Sequence, residues 1–314
     1  MNGPAIETRG LGHRYSGDRR ALDGLDLEVG RGEIFGLLGP NGGGKTTLFR
    51  ILTTLMRPTD GEARVLSRDC VTDPGGIRKR IGVVFQSPSL DGKLTVAENL
   101  RHQGNLYGMG GAALRTRATE MLERVRLTDR AHERAEKLSG GLKRRAELAK
   151  GMLHAPELLL LDEPSTGLDP GARRDLWTYL RDIRERDGVT SFLTTHLMEE
   201  AARCDRLAIL DRGKLVALGT PTELTAAIGG DVVTIEADEP LALRDEIAAR
   251  LQVEPAVVDG SLRLELPEAA SFLPRLLETF PGRIDSVTVG KPTLEDVFVH
   301  RTGHRFWAEG EPES

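Results

Sequence analysis

The sequence predicts an α/β fold that carries a helical insertion and is followed by a small α+β domain. Three observations lead to this prediction. An apolar strand, residues 34–38, runs into a glycine-rich loop and then a helix, residues 45–55. Four consecutive leucines followed by two acids, residues 158–163, are typical of a buried strand in a parallel sheet. After residue 229, short strand patterns alternate with helical ones.

Composition limits the class of protein. The 314 residues are 39 % hydrophobic and 29 % charged, which suits roughly two packed domains and argues against disorder. The net charge of -5 gives no global reason to expect nucleic acid as a partner. Cys70 and Cys204 are too few and too far apart for a disulfide framework, so a reducing cytosol is the expected setting.

The chain shows no sign of its own membrane anchor. Its first residues lack the basic and apolar segments of a secretory signal. Its apolar runs are far shorter than the ~20 residues needed to cross a bilayer. We therefore expect a soluble chain, and any membrane role would come through a partner.

The glycine-rich loop satisfies the phosphate-binding pattern G-x-x-x-x-G-K-[ST] between a strand and a helix, which is the setting the pattern needs. Its residues are Gly39, Pro40, Asn41, Gly42, Gly43, Gly44, Lys45, Thr46 and Thr47. Glycines let backbone N–H groups converge on phosphate oxygens at the positive end of a helix dipole. Lys45 would reach the β- and γ-phosphates, and the Thr46 hydroxyl would hold Mg²⁺. The pattern favours a nucleotide site over a glycine-rich cap but leaves the reaction open.

Strands and a polar turn surround this loop in the first part of the chain. Short strands are predicted at 25–29, 61–66 and 81–85, and a later hairpin at 207–210 and 214–218. Tyr15 lies in a polar turn, where its ring could stack on a purine base. From this residue alone, an ordinary surface or core tyrosine is equally plausible.

Residues 87–156 change character and are interpreted as a helical insertion. Helices are predicted over three stretches of it, namely 95–107, 112–125 and about 140–154. Ser139 is a good N-cap for the third helix. Gly140 and Gly141 are poor helix formers, so their presence needs a reason. Bare N–H groups for an anion are one reason and an ordinary cap is another, and this stretch alone leaves both open.

Asp162 and Glu163 end the leucine strand and would face the crevice where α/β sheets bind ligands. In a phosphoryl-transfer site, Asp162 would hold Mg²⁺, directly or through water, and Glu163 would orient or deprotonate the attacking water. The alternative is a strand that simply ends in solvent, which a phosphate loop in the same chain disfavours. His196 follows another predicted strand, 189–194, and could donate to a γ-phosphate, although a structural histidine is commoner.

The segment after residue 229 is interpreted as a separate α+β unit. Strands are predicted at 232–237, 261–266 and 284–289, and helices at 241–251 and 268–280. The segment carries no metal-ligand spacing and no nucleophile–base pair, so a docking or dimerisation role is expected. Residues 304–314 are expected to form a frayed tail.

Seven motifs, taken in order, resemble those of an ABC-type ATPase. They are Tyr15 for the A-loop, 39–47 for Walker A, Gln86 for the Q-loop, 138–141 for the signature, 158–163 for Walker B, 168–169 for the D-loop and His196 for the H-loop. The resemblance covers about residues 5–225 and implies a P-loop NTPase: a RecA-like core, an antiparallel β subdomain and the helical insertion. It implies an ATP-binding domain at 1–228 and an accessory domain at 229–314. Residues 291–298, followed by Thr302 and Gly303, are similar to the tail domain of the daunorubicin-resistance-like branch, the ATPase subunits of ABC-2 exporters.

The resemblance implies a homodimer with two ATP molecules and Mg²⁺ at its interface. Each ATP would be held by Lys45 and its loop from one chain and by the signature residues of the other, Ser139, Gly140 and Gly141. Gln86 would sense Mg²⁺ and the water, Asp169 would link the two sites, and His196 would contact the γ-phosphate. The insertion would press on an integral-membrane permease on a separate chain, at the inner face of the cell membrane. No nucleic acid is expected.

Two positions depart from the family pattern. Leu142 stands where the signature usually ends in glutamine, which affects one polar side-chain contact but not the contacts of Ser139 and of the backbone. Gly43 replaces a small residue that has a Cβ, which is expected to loosen the loop at little other cost. The basic clusters at 78–80 and 143–145 are interpreted as solvated faces.

The sequence therefore predicts an ATP-hydrolysing subunit that powers efflux of a drug-like, lipid-like or other small substrate. One alternative is an ABC-type ATPase that acts on nucleic acid or the ribosome, but such proteins usually carry two ATPase units or a long coiled coil. The other alternative is a regulatory module that binds nucleotide without useful turnover. The intact Lys45, Asp162 and Glu163 argue against that alternative.

Overall fold

The computed structural model describes residues 3–17 and 19–306. Residue contacts divide the chain into a first unit that ends at Leu215 and a second that begins at Val216. Each unit contains β-sheet and has a hydrophobic core of its own. The domain boundary after residue 228 stays a prediction.

The first unit alternates strands and helices. Its elements begin with β1 (Ile6–Arg14), β2 (Arg20–Val29), β3 (Ile34–Leu38), α1 (Lys45–Leu52), β4 (Asp60–Val65), β5 (Arg68–Asp69), α2 (Pro74–Arg78) and β6 (Ile81–Val84). They continue with α3 (Val96–Leu106), α4 (Gly111–Arg124), α5 (Gly140–Met152), β7 (Leu158–Asp162), α6 (Pro170–Asp187), β8 (Thr190–Thr195), α7 (Met198–Ala201), β9 (Arg206–Asp211) and β10 (Lys214–Gly219), which begins in this unit.

Two sheets share the first unit. An antiparallel sheet has the order β2-β1-β4-β5. The other sheet has the order β10-β9-β3-β8-β7-β6, and its strands from β9 to β6 run parallel. The predicted α/β class is confirmed, together with the antiparallel subdomain that the resemblance implied.

The leucine run forms strand β7, in which all four leucines are fully buried. β7 lies between β6 and β8, so only an apolar sequence suits it. In the parallel register, Leu38 of β3 lies beside Thr195 of β8, and Asp162 lies beside Thr194. The carboxyl ends of three strands therefore meet at one edge of the sheet, which is where α/β proteins bind ligands.

The insertion contains the three predicted helices, α3, α4 and α5. Thr95 begins α3 with a capping box that includes Glu98. Ser139 caps α5 as predicted, since its hydroxyl oxygen accepts the Leu142 N–H at 3.4 Å. This cap fixes where the signature stretch turns into a helix.

Helix α1 is shorter than predicted, because it ends at Leu52 and not at residue 55. The Thr53 hydroxyl donates to the Phe49 carbonyl at 2.8 Å, and Thr54 adopts a left-handed conformation with φ of 61°. A helix cannot continue through that conformation. Leu55 is consequently left 60 % exposed.

The interpretation of residues 143–145 as a solvated face is wrong for Arg144, which is only 6 % exposed. Helix α5 turns this side chain inward, where its guanidinium donates to the Phe85 carbonyl at 2.8 Å. Arg145 next to it pairs with Asp175 on α6. Sequence alone shows a run of basic residues, whereas the direction of each side chain depends on the helix around it.

The second unit is an antiparallel sheet covered by helices. Its elements after β10 are α8 (Pro221–Ala226), β11 (Asp231–Glu236), α9 (Pro240–Leu251), β12 (Ala256–Val258), β13 (Ser261–Leu266), α10 (Ala269–Thr279), β14 (Ser286–Gly290) and α11 (Leu294–Thr302). The strand order is β12-β13-β11-β14. The predicted strands and helices of this segment are present, while α11, which Thr293 and Asp296 begin with a capping box, was not predicted.

The prediction of a frayed tail is wrong for residues 304–306. Phe306 is 2 % exposed, and its ring lies 5.0 Å from that of Phe298, centroid to centroid. Burial of an aromatic ring outweighs the entropy of a short chain end. The rest of the predicted tail, 307–314, lies outside the described residues.

Within residues 3–17 and 19–306, no helix is long and apolar enough to cross a membrane. Both cysteines are buried free thiols. Burial raises the pKa of Cys70 to about 12 and raises the pKa of Cys204 as well. Neither thiol is therefore a reactive nucleophile at neutral pH.

Candidate active site

The glycine-rich loop between β3 and α1 requires glycine for steric reasons. Gly44 has φ of 106°, and a Cβ there would lie 2.5 Å from the Ala21 carbonyl oxygen. A Cβ on Gly39 would lie 2.4 Å from the Leu210 carbonyl oxygen. The loop backbone therefore lies close against residues of β2 and β9, and α1 begins directly after it.

Gly43 is closely surrounded, and the expectation that it loosens the loop stays a prediction. A Cβ there would lie 3.0 Å from the Pro40 carbonyl oxygen and 3.3 Å from that of Leu210, so a neighbour would have to shift. The Gly43 N–H donates to Pro40, and its carbonyl accepts the Gly213 N–H at 3.0 Å. Gly43 thus permits a close turn that sequence alone did not reveal.

Lys45 is the first residue of α1 and is 4 % exposed. Its ammonium group donates to the Gly39 carbonyl at 2.7 Å and to the Pro40 carbonyl at 3.1 Å. Burial lowers the pKa of Lys45, although the nearby Glu163 and Asp162 oppose this change. Gly39 and Pro40 therefore act through their carbonyls, which hold the lysine across the loop.

Asp162 and Glu163 follow each other at the end of β7 and are held by one hydroxyl group. Thr194 on β8 donates its hydroxyl to Asp162 Oδ1 at 2.6 Å and accepts the Glu163 N–H at 3.0 Å. Glu163 has φ of 44°, a strained conformation that this hydrogen bond supports. Burial raises the pKa of Asp162, and the hydrogen bond from Thr194 opposes the rise.

The Glu163 carboxylate is the centre of the site. Oε1 lies 3.3 Å from His196 Nδ1 and 3.7 Å from Lys45 Nζ. Oε2 accepts from Gln86 Nε2 at 3.1 Å and from the Thr166 hydroxyl at 3.4 Å. Burial opposes the charge of Glu163, but the interactions with His196 and Lys45 outweigh it and hold its pKa below the ordinary value. Glu163 is therefore ionised at neutral pH.

These groups open onto one cavity of about 400 Å³. The cavity is lined by Tyr15, Arg19, Ala21, Asn41, Gly42, Gly43, Gly44, Lys45, Thr46, Thr47, Gln86, Glu163, Thr166 and His196. Thr46 is exposed in it, whereas Thr47 is buried and its hydroxyl lies 3.1 Å from the Tyr15 hydroxyl. A cavity of this size accommodates a small ligand, and its donors suit an anionic one.

Other predicted residues lie outside this cavity. Ser139 and Gly140 are exposed at the tip of α5, and Asp169 caps α6 by accepting the Ala172 N–H at 2.9 Å. Gly141 packs against α6, where a Cβ would lie 2.8 Å from that of Ala172. Leu142 is half-buried and packs against the hydrophobic core. One chain thus carries the phosphate loop and the signature helix tip at two separate places.

The oxygen atoms of Thr46 and Gln86, which line the cavity, and of Asp162, which precedes the lining residue Glu163, suit Mg²⁺. The Thr46 hydroxyl is exposed, Gln86 uses only its amide nitrogen on Glu163, and Asp162 binds Thr194 through one of its two oxygens. Among the residues that the structure describes, no group of three or more His, Cys, Asp or Glu could hold a metal ion. Mg²⁺ in nucleotide sites usually has one or two carboxylates together with water and phosphates, so the donor set fits this ion.

The sequence did not predict Arg19, Ala21 and Thr166, which line the cavity. It also did not predict two residues that hold segments beside the cavity, Arg144 and Thr194. Thr194 could have been suspected, because a threonine pair ends strand β8 directly before His196. Arg144 could not, because the basic run around it has the pattern of a surface.

A buried lysine in a glycine loop, beside an Asp-Glu pair at the carboxyl end of parallel strands, defines a P-loop nucleoside triphosphatase. The family model for ABC transporters matches residues 22–166, and the model for the C-terminal domain of DrrA1-3-like ATP-binding proteins matches residues 219–302. Daunorubicin resistance ATP-binding protein DrrA2 of Streptomyces coeruleorubidus is 40 % identical over 318 residues, which cover 97 % of each chain. The chain belongs to the ABC transporter ATP-binding proteins, in the drug-resistance and exporter branch. It is an ATP-binding subunit and an ATPase.

Two further comparisons support this placement. Nod factor export ATP-binding protein I of Paraburkholderia xenovorans is 42 % identical over 291 residues, covering 91 % of this chain and 93 % of the relative. A solved ATP-binding cassette, described as a dimer in a post-hydrolysis state with ADP and Pi, gives a TM-score of 0.63 at 27 % identity. That match covers 68 % of this chain and 98 % of the other. The nucleic-acid ATPase and the regulatory module are not favoured.

Proposed function

We propose that this chain powers an ABC-2-type exporter, whose membrane pore is a permease on a separate chain. The observation that carries the proposal is the convergence of Lys45, Gln86, Glu163 and His196 on one cavity. The relatives are named for daunorubicin resistance and Nod factor export, so a drug-like, lipid-like or other small substrate is proposed. The place of action would be the cytoplasmic face of the cell membrane, and no nucleic acid would take part.

We propose that two copies clamp two ATP molecules between them. The exposed tip of α5 supports this arrangement, because Ser139 and the N–H groups of Gly140 and Gly141 lie away from their own chain's phosphate loop. Such a tip attracts an anion, and a phosphate brought by a second copy would complete it. The dimeric cassette with ADP and Pi is consistent with this geometry. Asp169, exposed at the start of α6, would link the two sites.

Within each site the side chains would divide the chemistry. Lys45 and the loop N–H groups would bind the β- and γ-phosphates, with Asn41, Gly42, Gly43, Gly44 and Thr47 forming the cradle and Tyr15 the base contact. Glu163 would accept the proton of the attacking water, since its carboxylate is ionised at neutral pH. His196 would donate to the γ-phosphate. Thr46, Gln86 and Asp162 would hold Mg²⁺, which neutralises phosphate charge when bound.

A groove beside Gln86 is the proposed docking site of the permease. It has a volume of about 260 Å³, and Leu55, Val83 and Phe85 form its apolar part. Arg78 and Lys150 provide polar groups at its border. A short amphipathic helix of a membrane protein would suit this groove. Phe85 directly precedes Gln86, so a partner in the groove would act next to the site.

The test uses the exposed Leu55 at this groove. Leu55→Cys is expected to cross-link to the permease in native membranes, because the two native thiols are buried and unreactive. Val71→Cys is the matched control, since Val71 is exposed in the same unit but does not line the groove. Cross-linking from residue 55 alone supports the proposal. Equal or no cross-linking from both positions would refute the docking site.

A further inference from the structure

Three charged side chains on one face of α5 hold the segment that contains Gln86. Arg144, Glu147 and Lys150 are spaced three residues apart, so they share a face of the helix. Arg144 donates to the carbonyls of Phe85 at 2.8 Å and Gln86 at 3.3 Å. The segment is therefore bonded to the helix through its backbone, whatever its side chains are.

The same helix face holds the other end of the segment. Glu147 Oε1 accepts the Ser89 N–H at 2.5 Å, and Lys150 Nζ donates to the Ser89 carbonyl at 2.6 Å. Arg144 and Glu147 also pair with each other at 3.0 Å. Residues 85–89 thus have both ends attached to α5.

Burial of these charged side chains costs free energy, because the charges lose hydration. Arg144 is 6 % exposed and Glu147 is 2 % exposed. Burial lowers the pKa of Arg144 and raises the pKa of Glu147, so both charges have lost much of their hydration. A buried ion pair is often no more stabilising than apolar residues of similar size. What it supplies here is orientation, because the guanidinium fork binds two successive carbonyls at fixed directions.

The contacts form a path from one part of the site to another. Ser139 caps α5, Arg144 of the same helix binds the Gln86 carbonyl, and the Gln86 side chain donates to Glu163 at 3.1 Å. We infer that Arg144 is a positioning residue. It fixes the position of Gln86 relative to Glu163, and this position follows the position of the tip of α5. The inference rests on the proposed roles of Gln86 and Glu163. A shift of α5 in one chain would therefore move Gln86 and change its hydrogen bond to Glu163 in the same chain.

The experiment is a double-mutant cycle in the full chain. Arg144→Lys keeps the positive charge beside Glu147 but loses the fork, so the protein should fold while Gln86 is held less well. We expect kcat for ATP hydrolysis to fall on the order of tenfold, with the Kd for ATP unchanged. In a Gln86→Ala background the same change should alter kcat by no more than about twofold. Lys143→Gln on the same helix is the control.

A second variant tests the ion pair between Glu147 and Arg144. Glu147→Gln still accepts the Ser89 N–H but no longer carries the charge that pairs with Arg144, and it should lower kcat in the same direction. Equal loss of kcat from Arg144→Lys with and without Gln86 would overturn the inference alone. Unchanged kcat in Gln86→Ala by itself would refute the proposed role of Gln86 and the inference with it.

Discussion

The carboxylate of Glu163 lies 3.7 Å from the ammonium group of Lys45, although 118 positions separate the two residues along the chain (163 − 45). The parallel strands β3 and β7 lie on either side of β8, which brings the loop after β3 near the end of β7. Both groups are largely removed from water, so their attraction is stronger than at the surface. Lys45, proposed to bind phosphate, and Glu163, proposed as the base, are thus neighbours in the fold itself.

Glu163→Gln should retain ATP binding and lose turnover. Glutamine has nearly the same shape but cannot accept a proton from water, so phosphate release should fall by about 10²- to 10⁴-fold. The affinity for ATP, measured by equilibrium binding, should be unchanged. The control is Glu199→Gln, an exposed glutamate on α7. Hydrolysis at the parental rate would show that Glu163 is not the base.

Asp162→Asn should make the protein more stable at neutral pH while abolishing turnover. Burial raises the pKa of Asp162, so the folded protein binds this proton more tightly than the unfolded chain. Its contribution to stability is therefore full below pH 3.8 and is lost as the pH rises through the folded-state pKa. Asparagine can accept the Thr194 hydroxyl without a charge, so urea unfolding at pH 7 should show a gain of roughly 1 kcal/mol.

The gain in the free energy of unfolding from Asp162→Asn should shrink as the pH falls toward 4. Asp162 of the folded parent protein is then protonated and, like asparagine, carries no charge. Parallel urea titrations of both chains across this range measure the difference. A variant that is less stable than the parent at pH 7 would contradict the electrostatic explanation.

Gly44→Ala should damage the loop far more than a glycine change elsewhere. Residue 44 combines φ of 106° with a Cβ position 2.5 Å from a backbone oxygen, so the free energy of unfolding should fall by roughly 2 kcal/mol or more. Gly188→Ala is the matched control, since Gly188 also has positive φ but open space around it. That change should cost about 1 kcal/mol. Equal losses in chemical denaturation would mean that the contact with Ala21 is unimportant.

Tyr15 can be tested as a base contact by comparing two ligands. Tyr15→Ala should weaken ATP binding on the order of tenfold, because an aromatic stack contributes about 1–3 kcal/mol. Tyr15→Phe keeps the ring and should bind ATP like the parent. Inorganic tripolyphosphate, which has no base, should bind all three chains alike in calorimetry. If Tyr15→Ala weakens the binding of ATP and of tripolyphosphate equally, Tyr15 acts through its contact with Thr47 in the loop and not on the base.

The sequence was sufficient for features that depend on local pattern. The leucine strand, the Ser139 cap and the order of helices in the insertion follow from burial, capping and periodicity within a few residues. The sequence was insufficient for features that depend on contacts between segments far apart in the chain. The pairing of Thr194 with Asp162 depends on strand register, and the burial of Arg144 depends on which face of α5 meets residues 85–89. The tight turn at Gly43 depends on Leu210, which belongs to another strand.

The central claim is that ATP joins two copies of this chain, with the lysine loop of one copy opposite the Ser139 helix tip of the other. Sedimentation of the Glu163→Gln protein with saturating Mg²⁺ and ATP tests it most directly. We predict twice the mass of a single chain with ATP and the single mass without it. Adding Ser139→Arg should leave ATP binding intact but abolish the dimer. A Glu163→Gln protein that keeps the single mass at saturating ATP, or an equal dimer with Ser139→Arg, would contradict the claim.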